Sequence, residues 1–137
     1  MNKKTKLLFI ISYSIFLTTM SASAQAKADD VITKENGVTV VNTTSLAEDV
    51  EGYAGPVPLK IYIKKDKIER IEPLKNLETP KYWALVKREL IDKWNGLTAK
   101  KAAALQVDVV SGATYSSEAV IENVQRGLEY YNKKRKK

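Results

Sequence analysis

Nine residues, Asp108-Val109-Val110-Ser111-Gly112-Ala113-Thr114-Tyr115-Ser116, hold three small hydroxyls and a glycine in one short stretch. The apolar run Leu105 to Val110 before them reads as a buried strand. An amphipathic helix is expected to begin at Ser116 or Ser117. The first N–H groups of a helix lack internal acceptors and carry the positive end of its dipole, so a strand-to-helix junction of this kind suits a phosphate. It would also present the Ser116 hydroxyl where a phosphate can be joined. The competing reading is a tight turn followed by a serine N-cap.

The rest of the composition limits what these hydroxyls can do. With no histidine and no cysteine, the chain offers no Ser-His or Cys-His nucleophile pair and no thiolate or imidazole metal site. No catalytic residue and no metal site are therefore assigned. An unassisted Ser116 is a poor nucleophile, so any covalent chemistry at its oxygen needs a base from another protein.

Three elements must position the motif. Val57 to Lys64 alternates, with Val57, Leu59, Ile61 and Ile63 on one face, as a half-buried strand does. Lys65-Asp66-Lys67 turns the chain, and Ile68 to Leu74 returns as the second arm of a hairpin. Val38 to Val41 forms a short strand after the Asn36-Gly37 turn. Thr79 and Pro80 start a helix, as N-cap and first helical residue, in which Trp83, Val86, Leu90 and Trp94 recur as core and Gly96 is the stop. Lys100 to Ala104 adds a short helix. The last helix runs to near Tyr131 with Val120, Ile121, Val124, Leu128 and Tyr131 on its apolar face. Gly127 within it weakens the helix by about 1 kcal/mol relative to alanine but permits close packing. Gly52 and Gly55 flank Tyr53 and would let backbone approach a planar ligand. The fold class that follows is α+β: a small antiparallel hairpin-based sheet with helices packed on one side, in a single domain.

The beginning of the sequence sets the compartment. Asn2-Lys3-Lys4-Thr5-Lys6 is basic, Leu7 to Met20 is an apolar run of 14 residues, and Ala22-Ser23-Ala24 is a small-x-small site. A membrane-spanning helix needs roughly 20 apolar residues, so this reads as a signal peptide cut after Ala24 rather than a retained anchor. The expected location is exported: periplasmic, or the extracytoplasmic face of the membrane. The formal charge is +7 and falls to +4 without Lys3, Lys4 and Lys6. The tail Lys133-Lys134-Arg135-Lys136-Lys137 holds five more cations, without which the remainder stands at −1. The high pI is thus a terminal effect. A solvated helix end is the simplest reading, with weak contact to an anionic membrane as the alternative. Nucleic acid is not an expected partner. The expected organisation is signal peptide 1–24, an N-terminal segment 25–44, a domain 45–131 and a basic tail 132–137.

The motif Asp108-x-x-Ser111-Gly112-Ala113-Thr114-x-Ser116 resembles the flavinylation motif of the FMN-binding domain family. The sodium-pumping NADH:quinone reductase and the Rnf complex each contain flavinylated domains of that family. Gly52-Tyr53-Ala54-Gly55-Pro56-Val57 resembles its Gly-aromatic-x-Gly-Pro segment before a hairpin. Lys65-Asp66-Lys67-Ile68 is similar to its Asp-Gly-Lys-Ile turn, and Glu78-Thr79-Pro80 to its Glu-Thr-Pro element. Two departures stand out: Asn76 lies where many members carry His, and the final acceptor is Ser rather than the commoner Thr.

The resemblance implies FMN as cofactor, joined by a phosphoester bond to Ser116 by a separate Mg²⁺-dependent flavin transferase that uses FAD as donor. It implies a polar contact from Thr114 to the phosphate, a turn shaped by Ser111, Gly112 and Ala113, and Asp108 in turn stabilisation or transferase recognition. The ring would lie between Gly52–Val57 and Glu78-Thr79, beside Tyr53 and bordered by Tyr115. Thr114 and Ser117 are the fallback acceptors. The implied function is an exported electron carrier docking with membrane-bound or exported redox partners. The alternatives are a non-covalent FMN module or flavin-dependent reductase, and an exported structural module that has lost the flavin.

Overall fold

The computed structural model describes residues 31–136. The signal-peptide reading, and Lys137, lie outside the described residues. Four strands form one antiparallel sheet in simple meander order: β1 Ile32–Glu35, β2 Val38–Asn42, β3 Leu59–Lys64 and β4 Lys67–Pro73. Two of the three connections are two-residue loops. Asn36 and Gly37 have φ of 51° and 77°, and Lys65 and Asp66 have 50° and 64°. Positive φ at both positions is what the turn matching right-handed strand twist requires. Asn-Gly adopts it readily, whereas Lys65-Asp66 does so with tertiary help, since Asp66 accepts a bond from Ala99 N at 2.9 Å through its carbonyl.

Alternation decides which face is covered. Ile32, Val41, Ile61 and Ile71 stand in register across the four strands. Leu59, Ile61 and Ile63 are fully buried, with Val57 just ahead of the strand. A bulge between Tyr62 and Ile63 pairs Ile63 with Ile68 and keeps both in the core. β1 was not foreseen, because as an edge strand it buries little and carries no clear apolar period.

The helices among the described residues lie on the inner face. α1, Pro80–Glu89, begins with proline at its first position, where the missing N–H costs nothing. The Thr79 side chain makes no capping bond, so only its backbone takes part, accepting from Trp83 N. A 3-10 turn, Ile91–Trp94, buries Trp94 and stops at Gly96, whose φ is +82°. α2, Ala99–Ala104, is capped by the Thr98 hydroxyl. Its buried Ala99 and Ala102 allow close packing on the last helix. That helix, α3, spans Thr114–Arg135. It starts two or three residues earlier than the sequence suggests and runs on through much of the basic tail.

Val120, Val124 and Leu128 of α3 cover the sheet. A Cβ on Gly127 would stand 2.7 Å from Ile61 Cδ1 and 3.0 Å from Thr43 Cγ2, so glycine sets the helix–sheet distance here. Beside it, Thr43 Oγ1 donates to Asn123 Oδ1 at 2.5 Å and accepts from Leu59 N at 2.9 Å. This buried chain fixes how α3 sits along the start of β3. Arg126 pairs with Asp49 and Glu122 and donates to Leu46 O, holding the β2–β3 connection against the helix.

The expected strand Leu105–Val110 is not one. The segment has no ladder partners, and Leu105 and Val109 are exposed, leaving Val110 as its buried anchor. Its Val110 N–H is taken by a serine hydroxyl rather than by a neighbouring strand. Among the described residues, no helix is long and apolar enough to cross a membrane.

Candidate functional site

The turn into α3 is built by its own residues. Ala113 N donates to Val110 O at 2.9 Å, and Gly112 has φ of +85°. Nothing lies within 4 Å of a Cβ placed on Gly112, so conformation, not space, calls for glycine. Ser117 locks the turn. Its hydroxyl accepts from Val110 N at 3.0 Å and donates to Ala113 O at 2.7 Å, and the residue is fully buried. Ser117 is therefore a structural residue with no free hydroxyl, which removes it as a fallback acceptor.

Ala113 stands at the N-cap and offers no side-chain acceptor. The N–H groups of Thr114, Tyr115 and Ser116, the first three helical residues, are thus left without intrahelical or side-chain caps. Ser116 is the third helical residue and not the cap. It is 3% exposed, so its hydroxyl sits within the site and not on the surface as the sequence suggested. Thr114 and Tyr115 are exposed beside it.

These residues form one wall of a cleft of about 330 Å³, lined by Gly112, Ala113, Thr114, Tyr115 and Ser116 with Tyr53 and Tyr82. Its size is at the lower end of the roughly 300–1,000 Å³ usual for small-molecule sites. Tyr53 and Tyr115 are 70% and 64% exposed, a large apolar area left in water unless a ligand covers it. Tyr82, from the first turn of α1, was missed. Its signal was available: it lies off the Trp83–Val86–Leu90 stripe, as an aromatic on the outward face of an amphipathic helix.

The Tyr53 loop is held from beneath. Gly52 N donates to Gly55 O at 2.8 Å, closing a tight turn in which Gly55 has φ of +132°. Glu78 is buried, and its carboxylate accepts from Tyr53 N at 2.9 Å and Ala54 N at 2.7 Å. A Cβ on Gly52 would lie 1.9 Å from Glu78 Oε1. Gly52 thus admits a carboxylate of the protein itself, not the planar ligand inferred from sequence. Asn76 completes the arrangement by accepting from Glu78 N at 3.0 Å.

The cleft therefore brings Tyr53, Gly112, Ala113, Thr114, Tyr115 and Ser116 together. Gly52, Gly55 and Glu78 lie behind Tyr53 as its support. Thr79, Ser111 and Asp108 are exposed and are not among the lining residues. Among the described residues no group of carboxylates is arranged to hold a metal ion.

The pattern of the FMN-binding domain family matches residues 52–129, from the glycine of the Tyr53 loop to the body of α3. The chain belongs to this family. No curated protein is similar enough in sequence to count as a match. FMN is accordingly its cofactor, and the residues of the cleft fit it. This FMN-binding domain offers, in its cleft, unpaired N–H groups and hydroxyls of the kind that suit a phosphate, and tyrosine rings of the kind that suit a planar ring. The match begins after β2, so β1 and β2 extend the sheet outside the matched residues.

Proposed function

We propose that this domain is an exported electron carrier whose FMN is tethered through a phosphoester bond to Ser116. The observation that carries the reading is the juxtaposition of Ser116 with the uncapped first turn of α3 inside a tyrosine-lined cleft. The N–H groups of Thr114, Tyr115 and Ser116, with the Thr114 hydroxyl, would hold the phosphate. Tyr53, Tyr82 and Tyr115 would flank the ring. FMN supplies the redox chemistry, and the protein supplies position and electrostatics.

Attachment needs an outside enzyme. Ser116 Oγ bonds to the FMN phosphorus of FAD, the pyrophosphate P–O bond breaks, and AMP departs. The hydroxyl proton passes to a base on the flavin transferase, since this chain has no histidine to receive it. Asp108, exposed at the approach to the turn, is available to that enzyme.

A tether suits an exported protein, because the flavin then cannot diffuse away whatever its equilibrium affinity. With no histidine or cysteine, the sequence lacks the usual ligands of a second redox centre. Donor and acceptor are accordingly separate redox partners, membrane-bound or exported. Denaturing purification after co-expression with the transferase separates the readings. Flavin retained on the unfolded chain supports the tether, and flavin released on unfolding supports a non-covalent module. Stopped-flow mixing of the reduced protein with candidate acceptors then tests the carrier. Rapid saturable turnover of one small substrate, with no protein partner, would identify a reductase instead.

A further inference from the structure

We propose that the end of the molecule opposite the cleft is a docking surface for an anionic lipid membrane. Three segments distant in sequence meet there. The β3–β4 turn brings Lys64, Lys65 and Lys67, all exposed. The start of α2 adds exposed Lys100 and Lys101. The last turn of α3 contributes Lys133, Lys134 and Lys136.

The segments are stitched together rather than merely near. Ala99 N donates to Asp66 O at 2.9 Å, Asn132 Nδ2 donates to Ala99 O at 3.2 Å, and Arg135 forms an ion pair with the Asp66 carboxylate. Lys67 also bridges to Thr98 at the start of α2. The basic character read as a property of the tail is thus a composite, folded surface. Its central carboxylate, Asp66, is already matched by Arg135, so the eight lysines stand as excess charge. Glu129, one turn earlier on α3, lies at the margin.

The chemistry of the patch favours a lipid surface over a discrete anion site. Its free cations are lysines, compact charges on flexible stems, whereas the one guanidinium able to grip a phosphate by two bonds is held by Asp66. Tyr130, under the Lys134 ammonium at 5.4 Å, is an amphipathic ring of the kind that suits the headgroup layer. Clusters of four to eight lysines are roughly the size that anionic bilayers attract. Lys133 is 17 residues along α3 from Ser116, about 25 Å at the helical rise. A membrane on this face would leave the cleft turned to solution, open to a redox partner.

The test is co-sedimentation of the exported chain with phosphatidylglycerol–phosphatidylcholine vesicles and with pure phosphatidylcholine vesicles, with and without bound FMN. Binding is expected on the anionic vesicles alone, independent of FMN, and lost at high salt. Lys65→Gln/Lys67→Gln and, separately, Lys133→Gln/Lys134→Gln/Lys136→Gln should each weaken it, by about fivefold per lysine removed. The two variants change different segments, so a folding defect in one leaves the other to decide. Because the sequence has no cysteine, dye-labelled Glu129→Cys and Glu118→Cys report orientation. Only the dye at position 129 should shift on binding. Equal binding to neutral vesicles, no binding at low salt, or a turn variant that binds like the parent overturns the proposal. Capture of an acidic protein in place of lipid would do the same.

Discussion

Glu78 shows how one side chain shapes the mouth of the cleft without lining it. Both its oxygens are committed to the backbone of the Tyr53 loop, in space that exists because residue 52 has no side chain. Glu78→Ala leaves two N–H groups without their acceptor and is expected to cost about 1–3 kcal/mol, read by urea unfolding. Gly52→Ala, which drives a methyl into the carboxylate, should cost a similar roughly 1–3 kcal/mol. The double variant should lose clearly less than the sum, because both changes break one contact. Each single change should also alter the flavin spectrum through Tyr53 while leaving the attachment at Ser116 intact. At this scale the motif residues were legible, since turn chemistry is local. The Gly52–Glu78 contact was not, because it joins residues 26 positions apart. Tyr82 was overlooked because helical periodicity identifies what is buried and says nothing of what an outward aromatic serves.

Among the elements, α3 sets both the core and the site, and its fit to the sheet depends on Gly127. Alanine would add about 1 kcal/mol of helix propensity, but the new methyl would crowd Ile61 Cδ1 and Thr43 Cγ2. Thr43 cannot yield, being bonded to both Asn123 and Leu59. Gly127→Ala should therefore be net destabilising by about 1 kcal/mol, with much of the loss recovered in Gly127→Ala/Ile61→Val, as thermal unfolding would show. The β2–β3 connection depends instead on Arg126, whose bond to Asp49 holds that carboxyl below its ordinary 3.8. Its contribution is complete above pH 3.8, where Asp49 is ionised folded or unfolded, and is lost as pH falls through the lowered value. Asp49→Asn should flatten the acid limb of the stability–pH curve and speed amide exchange in residues 44–50. Hairpins and helix stripes could be read from the sequence because period and turn residues agree. Leu105–Val110 misled because an apolar run does not distinguish a ladder from a packed linker, and the Val110 N–H is claimed by Ser117.

At the scale of the whole molecule, α3 separates two features along its length: a cleft at its N-terminal end and a lysine-rich surface at the other. Composition revealed the charge but attributed it to a tail, because only the fold brings the β3–β4 turn and α2 beside it. The family membership and FMN agree with what the four motifs implied, whereas the tether and its acceptor rest on where Ser116 lies. The alkaline end of the stability curve belongs to this scale too. Burial, with Asp66 nearby, raises the Tyr131 phenol above 10.0 where α3 meets the turn and α2. Its contribution should persist below pH 10 and fall as pH rises through the raised value. Tyr131→Phe should weaken that alkaline loss in a pH-dependent unfolding series.

The central claim is most directly tested by the intact mass of the purified, denatured chain after co-expression with a flavin transferase. Parent protein and Ser116→Thr should each carry one FMN phosphoester, Thr114→Ala should retain it, and Ser116→Ala should carry none. An unmodified parent, or a Ser116→Ala chain that still gains FMN, would contradict the account.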